Sequence, residues 1–142
     1  MRSAVLLGAL FALAGCGGSG TPSPESVVHA WSAALDRNDN EAAARLFADD
    51  AQIIQGGAFR LESHADAVRW NASLPCGGRI TSLESQGGGG DVLAVFVLTQ
   101  RPGHTCDAPG QRAAALFSVR NGRITLWHQR NPPPASSDGL TA

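Results

Sequence analysis

Seven consecutive apolar residues, Val92 to Leu98, place the strongest constraint on how this chain can fold. An apolar run of that length between turn residues is typical of a strand that is buried on both faces. The segment Gly87 to Gly90 before it is a flexible hairpin turn, and Asn121-Gly122 is a strong type I′ turn signal. The second half of the chain is therefore predicted to form four antiparallel strands, over 79–86, 92–98, 111–120 and 123–130.

The first half of the chain carries helical signals. Ser23 can cap a helix, Pro24 suits its first position, and apolar residues recur at helical spacing as far as Leu35. Asp39 and Ser63 can cap two further helices, with one short strand between them. These elements are predicted over about 40–48, 63–72 and 51–55, respectively. Helices followed by antiparallel strands define an α+β fold.

The first sixteen residues resemble the signal of a bacterial lipoprotein. Arg2 gives a positive start, an apolar run follows from Ala4 to Ala14, and Leu13-Ala14-Gly15-Cys16 is similar to a lipobox. The resemblance implies cleavage before Cys16, acylation of that residue, and attachment to the extracytoplasmic face of the cell envelope. We therefore expect a signal peptide over 1–15, a lipidated cysteine and flexible tether over 16–24, a folded domain over 25–131 and a disordered tail over 132–142.

Charge and composition exclude several functional classes. The chain has 11 basic and 12 acidic residues and no basic stripe, which argues against nucleic acid as a partner. Beyond the signal, no apolar run reaches the roughly 20 residues that cross a bilayer, so membrane attachment is expected through lipid only. No histidine–carboxylate set has metal-ligand spacing, and no glycine-rich segment joins a strand to a helix as phosphate sites require. We expect no metal and no other cofactor.

Two cysteines remain if Cys16 carries the lipid. Cys76 and Cys106 lie in turn-like surroundings, and an oxidising compartment favours a disulfide between them. A metal site shared with His104 and a pair of free thiols are the alternative interpretations. Two cysteines and one histidine are short of a tetrahedral ligand set, so the disulfide is the preferred prediction.

Three segments resemble the nuclear-transport-factor-2-like (NTF2-like) proteins, a group that includes SnoaL-like polyketide cyclases and ketosteroid isomerases. The segments are Trp31 to Asp39, Arg45 to Ala51, and Asn121-Gly122-Arg123-Ile124 leading to Trp127. The resemblance covers about residues 25 to 131. It implies a cone-shaped, cystatin-like fold in which three N-terminal helices pack on a curved antiparallel sheet and enclose an apolar cup. It indicates a fold more than an activity, because this scaffold hosts enzymes, binding modules and scaffolding proteins.

The catalytic positions of a ketosteroid isomerase are replaced in this sequence. By motif spacing, Trp31 stands at the tyrosine donor, Gln55 at the carboxylate base and Ala115 at the protonated aspartate, and the chain has no tyrosine. An amide cannot act as a general base near neutral pH, so isomerase chemistry is nearly excluded. The remaining acid–base candidates are Asp50 and His128. Asp50 is otherwise a helix-end or solvated acid, and His128 an outward-facing or interface residue.

The same resemblance places five side chains around the cup. On the last strand, Thr125, Trp127 and Gln129 are predicted to share the inward face, while Ile124, Leu126 and His128 share the other. An apolar pocket with a few polar groups is typical of a small-molecule site. The alternative is that the tryptophans fill the core without a void. The predicted pocket residues are Trp31, Gln55, Trp70, Trp127 and Gln129.

Two functional hypotheses follow. The first is a non-catalytic, lipid-anchored domain that binds a small apolar molecule in the cup, or an envelope protein through its sheet. The second is a SnoaL-like enzyme (a cyclase, hydrolase or isomerase) that uses Asp50 or His128. Because Val92 to Leu98 and Ala113 to Phe117 do not alternate in polarity, we also expect a second copy of the chain to cover the outer face of the sheet.

Overall fold

Six strands form one curved sheet in the computed structural model of the protein, which describes residues 20–135. The strand order is β2-β1-β6-β5-β4-β3, and every neighbouring pair is antiparallel except β1 and β6. The α+β prediction is confirmed. The predictions for residues 1–19, Cys16 included, and for 136–142 lie outside the described residues. The elements are α1 (Pro24–Asp36), α2 (Asn40–Arg45), β1 (Phe47–Ile54), β2 (Ala58–Leu61), α3 (His64–Ser73), β3 (Gly77–Ser85), β4 (Asp91–Thr99), β5 (Arg112–Arg120) and β6 (Arg123–Arg130).

The three helices begin where their capping residues predict. The side chains of Ser23, Asp39 and Ser63 accept hydrogen bonds from the backbone N–H groups three residues ahead of them, and Pro24 occupies the first turn of α1. These bonds satisfy N–H groups that have no partner within the helix. The helices pack on one face of the sheet, and the main hydrophobic core lies between them.

The boundary between α2 and β1 differs from the sequence prediction. The helix ends at Arg45 rather than at residue 48, and Phe47 already pairs with Ile124 of β6. The N–H of Ile124 also donates to the carbonyl of Leu46, so pairing with the last strand overrides local helix propensity. The short edge strand β2 is absent from the prediction, because its four residues are mostly exposed and carry no alternating pattern.

Irregular pairing bends the sheet at three places. The register shifts between Phe47 and Gln52, between Ile80 and Ser82, and between Ser118 and Val119. Extra residues of this kind increase the local bend and twist of a strand.

The bulge in β6 also corrects the predicted faces of that strand. Leu126 pairs with Ser118 and Ile124 pairs with Val119, so Thr125 is the extra residue. Ile124 therefore turns inward with Trp127 and is fully buried in the core. The prediction that Ile124 shares a face with Leu126 and His128 is wrong, because simple alternation does not anticipate a bulge.

The outer face of the sheet is also largely apolar. Val95 and Ala114 pair across β4 and β5 and are buried, although they do not belong to the core beneath the helices. Around them Leu93, Val97 and Leu116 are half-buried. No helix within residues 20–135 is long and apolar enough to cross a membrane.

Asp91, the first residue of β4, has a lowered pKa. The Ser118 hydroxyl, and more weakly the Arg120 guanidinium, lower the pKa of Asp91 against an opposing effect of burial. Arg120 donates to Asp91 over 3.0 Å, which joins β5 to the first residue of β4.

Candidate functional site

Edge-to-face aromatic contacts form the centre of the core. The ring centroid of Trp31, on α1, lies 5.2 Å from that of Phe117 and 6.3 Å from that of Trp127. Trp127 lies 5.1 Å from Trp70, which in turn lies 5.6 Å from Phe47. Such tilted arrangements are favourable because the positive edge of one ring meets the negative face of another. The three tryptophans therefore interlock, as the core-filling interpretation requires.

A cavity of about 370 Å³ nevertheless opens beside two of these tryptophans. It lies where the end of α1 and the end of α3 meet the starts of β3 and β5 and the ends of β4 and β6. Its wall is mostly aromatic and aliphatic, with a few polar groups. The lining residues are Trp31, Ser32, Leu35, Gln55, Leu74, Pro75, Cys76, Gly77, Gly78, Phe96, Leu98, Asp107, Ala113, Trp127 and Gln129.

A chain of hydrogen bonds fixes the Trp31 wall of the cavity. The Trp31 indole N–H donates over 2.9 Å to the Oδ1 atom of Asn71, a fully buried residue of α3. The Asn71 amide donates to the carbonyl of Ala67 over 2.8 Å. Because the Asn71 side chain is held from both sides, the indole ring has a fixed orientation.

Arg101 stabilises the end of α3 next to this wall through hydrogen bonds. Its guanidinium donates over 2.7 Å to each of the carbonyls of Asn71 and Leu74, and it also donates to Oδ1 of Asn40. The residue is only 2% exposed. Burial lowers the pKa of the Arg101 guanidinium from its usual value, and the charge of Asp36 opposes that effect. Arg101 therefore ties the C-terminal end of α3 to the beginning of α2.

The Cys76–Cys106 disulfide forms another side of the cavity. It joins the turn before β3 to the loop between β4 and β5, and it excludes the free-thiol alternative. Among residues 20–135, the one cluster of three potential metal ligands is Cys76, Cys106 and Asp107, whose two sulfurs are bonded to each other. His104 lies apart from this cluster, with Nε2 2.9 Å from the carbonyl of Ala72.

Close packing at the start of β3 shapes the cavity floor. Ser32 donates to the carbonyl of Gly78 over 2.8 Å, and the N–H of Gly78 donates to Asp36 over 3.0 Å. A Cβ atom at Gly77 would lie 2.3 Å from Oδ1 of Asp36. Glycine at this position therefore lets α1 approach the strand closely.

The structure brings four of the five predicted pocket residues to the cavity. Trp31, Gln55, Trp127 and Gln129 line it, whereas Trp70 lies behind them, with its indole nitrogen 3.4 Å from Oε1 of Gln55. Both glutamines are exposed at the opening rather than enclosed. Of the three isomerase positions, Trp31 and Gln55 line the cavity.

Ala115, the third isomerase position, lies in the buried core away from the cavity wall. Within residues 20–135 the indole N–H of Trp127 has no hydrogen-bond partner, and it is buried among aromatic rings.

The two candidate acid–base residues lie elsewhere. Asp50 is exposed on the bulge of β1, with a positive φ of 58°, and its carbonyl accepts a hydrogen bond from Arg60. His128 is half-buried and pairs with Leu116 on β5 and Ile54 on β1. It alternates with Trp127 and Gln129 and so lies on the outer face of the sheet. Neither residue lines the cavity.

Sequence reasoning missed the charged residue of the wall. Asp107 is exposed, follows Cys106 in the loop between β4 and β5, and is the one ionisable side chain among the described residues of the lining. Its Oδ1 atom lies 3.6 Å from Sγ of Cys76. The predicted disulfide was the available signal, because it brings residue 107 beside Cys76.

Comparisons with known proteins agree with this architecture. A family model described as a SnoaL-like domain matches residues 28–127. An NTF2-like protein of unknown function from Cytophaga hutchinsonii superposes with a TM-score of 0.62 at 13% identity, covering 79% of this chain and 92% of that one. A putative polyketide cyclase from Sinorhizobium meliloti gives a TM-score of 0.59 at 20% identity, covering 74% and 94%.

A third solved structure has a bound small molecule. It is a hypothetical protein with a ketosteroid isomerase-like fold from Catenulispora acidiphila, in complex with trimethylamine. Its TM-score is 0.58 at 23% identity, and the match covers 78% of this chain and 87% of that one. Comparison with curated proteins gives no match.

The helices, the curved sheet and the cavity between them define an NTF2-like domain. Similarity at these identities establishes the fold and leaves the activity open. The chain belongs to the SnoaL-like family.

Proposed function

We propose that this protein is a lipid-anchored, extracytoplasmic binding domain that holds a small apolar molecule in its cavity without transforming it. The observation that carries the proposal is the composition of the cavity wall. It contains the aromatic residues Trp31, Phe96 and Trp127, several aliphatic side chains and one carboxylate. A volume of about 370 Å³ falls within the range of small-molecule sites, which are mostly apolar with a few polar groups.

The residues at the isomerase positions support a non-catalytic role. The amide of Gln55 cannot take a proton near neutral pH, and the Trp31 N–H is already bonded to Asn71. The names of several neighbours favour the alternative of a SnoaL-like cyclase, hydrolase or isomerase. That enzyme requires Asp50 or His128 to reach a substrate, and both lie away from the cavity.

Tryptophan fluorescence tests the binding proposal directly. A panel of apolar probes, such as naphthalene, benzyl alcohol and terpenes, is titrated into residues 20–135. We expect saturable quenching or a spectral shift of the tryptophan emission. Trp127→Phe should reduce the response substantially, since Trp127 is one of the two tryptophans that line the cavity. Trp70→Phe is the matched control, because Trp70 has the same chromophore in the same core but lies outside the lining.

A cavity-filling variant keeps the test decisive if a tryptophan variant unfolds. Ala113 is half-buried and lines the cavity, so Ala113→Phe should block the probes while circular dichroism and the melting temperature stay near wild type. Unchanged probe binding in Ala113→Phe would contradict the proposal. So would the absence of a saturable response from the whole panel.

The lipid anchor is tested on the full chain. Cells that express it are fed a labelled fatty acid, and we expect label on the wild-type protein and none on Cys16→Ser. The variant should also leave the membrane fraction. Label retained by Cys16→Ser would refute acylation at that residue.

We also propose that the outer face of the sheet pairs with a second copy of the chain. The half-buried side chains of Leu93, Val97 and Leu116 surround the buried pair Val95 and Ala114 on that face. Sedimentation of residues 20–135 should show a dimer that Leu116→Glu converts to a monomer. A wild-type monomer at high micromolar concentration would refute the pairing.

A further inference from the structure

Negative charge predominates in the wall of the cavity. The wall contains the carboxylate of Asp107 and no arginine or histidine among its described residues, and the sequence has no lysine. The remaining polar groups of the wall are neutral, and the Ser32 hydroxyl already donates to Gly78. A ligand that carries a carboxylate would therefore meet a like charge and no counter-ion at this wall.

Three nearby arginines lie on strands that border the cavity but belong to the opposite face of the sheet. Arg79 and Arg112 both pair with Val97, whereas the cavity residues Gly78 and Ala113 pair with Leu98 and Phe96. Arg130 likewise follows the lining residue Gln129 along β6. Since successive side chains of a strand alternate between faces, these three cations project away from the cavity.

In the part of the chain that the structure describes, Arg101 is the one buried cation close to the wall. It donates to the carbonyl of the lining residue Leu74, but the charge of Asp36 acts on it, and Asp36 itself accepts from Gly78 at the cavity floor. Asp36 therefore places a negative charge at the cavity floor that opposes the positive charge of Arg101. The carboxylate of Asp107 is the charge that belongs to the wall itself.

Aromatic faces favour the same sign of ligand charge. Trp31, Phe96 and Trp127 all contribute rings to the lining, and a cation over an aromatic face is attracted by the negative potential of the ring. Tryptophan provides the strongest attraction of the aromatic side chains. The wall thus combines aromatic rings with one exposed carboxylate, Asp107, and two exposed neutral residues, Gln55 and Gln129.

We infer that the ligand of this cavity is an apolar molecule that carries an amine cation, rather than a neutral hydrocarbon or an apolar carboxylate. The inference rests on the proposed binding function and adds the charge class of the ligand. In this arrangement the apolar part packs against Leu35 and Leu98, and the cationic group lies over an aromatic ring on the side of Asp107.

Two isosteric probes test the charge preference. Benzyltrimethylammonium and neopentylbenzene have the same shape and differ by one positive charge, and 3-phenylpropanoate supplies an anion. Each is titrated into residues 20–135, with intrinsic tryptophan fluorescence as the signal. We expect the cation to bind about five- to tenfold more tightly than the neutral probe, since cation–π attraction and one partly screened carboxylate each contribute on the order of a few-fold. The anion should bind most weakly.

Asp107→Asn separates the carboxylate from general surface charge. We expect this variant to weaken binding of the cation by roughly three- to fivefold at low salt and to leave the neutral probe unchanged. Added salt should shrink the difference between variant and wild type. Glu84→Gln is the matched control, because Glu84 is an exposed acid of β3 that lies outside the lining, and it should leave both affinities unchanged.

The outcomes distinguish this inference from the proposed function. If the neutral probe binds as tightly as the cation, or if Asp107→Asn leaves the affinity for the cation unchanged, the amine preference is overturned and the apolar binding site stands. If none of the three probes and none of the apolar panel gives a saturable signal, both ideas are overturned. Tighter binding of the cation, with loss on Asp107→Asn alone, supports the inference.

Discussion

Replacing Arg101 with methionine tests whether the buried guanidinium stabilises the fold. Two physical effects oppose each other at this site. The three hydrogen bonds to Asn71, Leu74 and Asn40 stabilise the folded state, and bonds from a charged donor contribute about 1.5–3 kcal/mol each. Burial of the charge costs several kcal/mol and is the reason that the pKa of Arg101 is lowered.

The geometry around Arg101 decides which effect prevails. Arg101→Met removes the charge and its cost, but it leaves the carbonyl of the fully buried Asn71 without its charged donor. Leu74 is half-buried, so its carbonyl can recover part of the loss from water. Because removing one partner of a buried polar network costs more than the network itself contributes, we expect the free energy of unfolding to fall by about 3 kcal/mol. For a domain of this size that corresponds to roughly 10–15 °C in melting temperature.

Urea unfolding of residues 20–135, followed by tryptophan fluorescence and far-ultraviolet circular dichroism, measures the effect. Arg69→Met is the control, because Arg69 pairs with Asp66 at the surface of α3 and should contribute less than about 1 kcal/mol. Equal unfolding free energies for Arg101→Met and the wild type would refute the reasoning. That result would mean that release of the buried charge offsets the lost bonds completely.

Three further perturbations follow from the same structure. Replacing both Cys76 and Cys106 with serine opens a loop with a sequence separation of 30. The chain-entropy model predicts that the free energy of unfolding in urea falls by about 3–4 kcal/mol. Equal urea midpoints of the wild type with and without reductant would contradict this prediction. Gly77→Ala forces a Cβ against Asp36 and should lower the melting temperature clearly. Gly57→Ala, in the open β1–β2 turn where a Cβ meets nothing within 4 Å, should not. The pKa of Asp91 is lowered in the folded state, so its contribution to the free energy of unfolding is complete above the unfolded pKa of about 3.9 and is lost as pH falls through the folded value. Asp91→Asn should therefore reduce the acid sensitivity of the melting temperature. An unchanged pH profile would exclude the effect.

The sequence predicted best the parts of the fold that depend on local signals. The caps at Ser23, Asp39 and Ser63 act within one turn, and the hairpin turns at Gly87 to Gly90 and Asn121-Gly122 act within one pair of strands. Strand boundaries in the second half were accordingly predicted to within about two residues.

Features that depend on distant pairing were missed. Parallel pairing of β1 with β6 brings Phe47 to Ile124, and nothing local to Phe47 reports a partner so far along the chain. The bulge at Thr125 lies within the β5–β6 hairpin, and it was missed because simple alternation does not anticipate an extra residue; it moves Ile124 to the opposite face. The tryptophan and glutamine positions of the cavity came from resemblance to the family.

The remainder of the cavity wall could not be predicted in this way. Asp107 lies in a loop in which the sequence shows no functional motif, and it lies at the wall next to Cys106, which is bonded to Cys76. The burial of Arg101 could not be predicted either. A lone arginine after a strand gives no sign that two backbone oxygens and one side-chain oxygen will enclose it.

The covalent link between Cys76 and Cys106 has a consequence for when the cavity takes its final shape. Two segments that are far apart in the sequence meet at one side of the cavity, and a sulfur–sulfur bond holds them there. A newly made chain with both thiols reduced lacks that bond, so one side of its cavity is not yet held in place. The disulfide forms only under oxidising conditions, so the final shape of the cavity depends on the redox state of the surroundings as well as on folding.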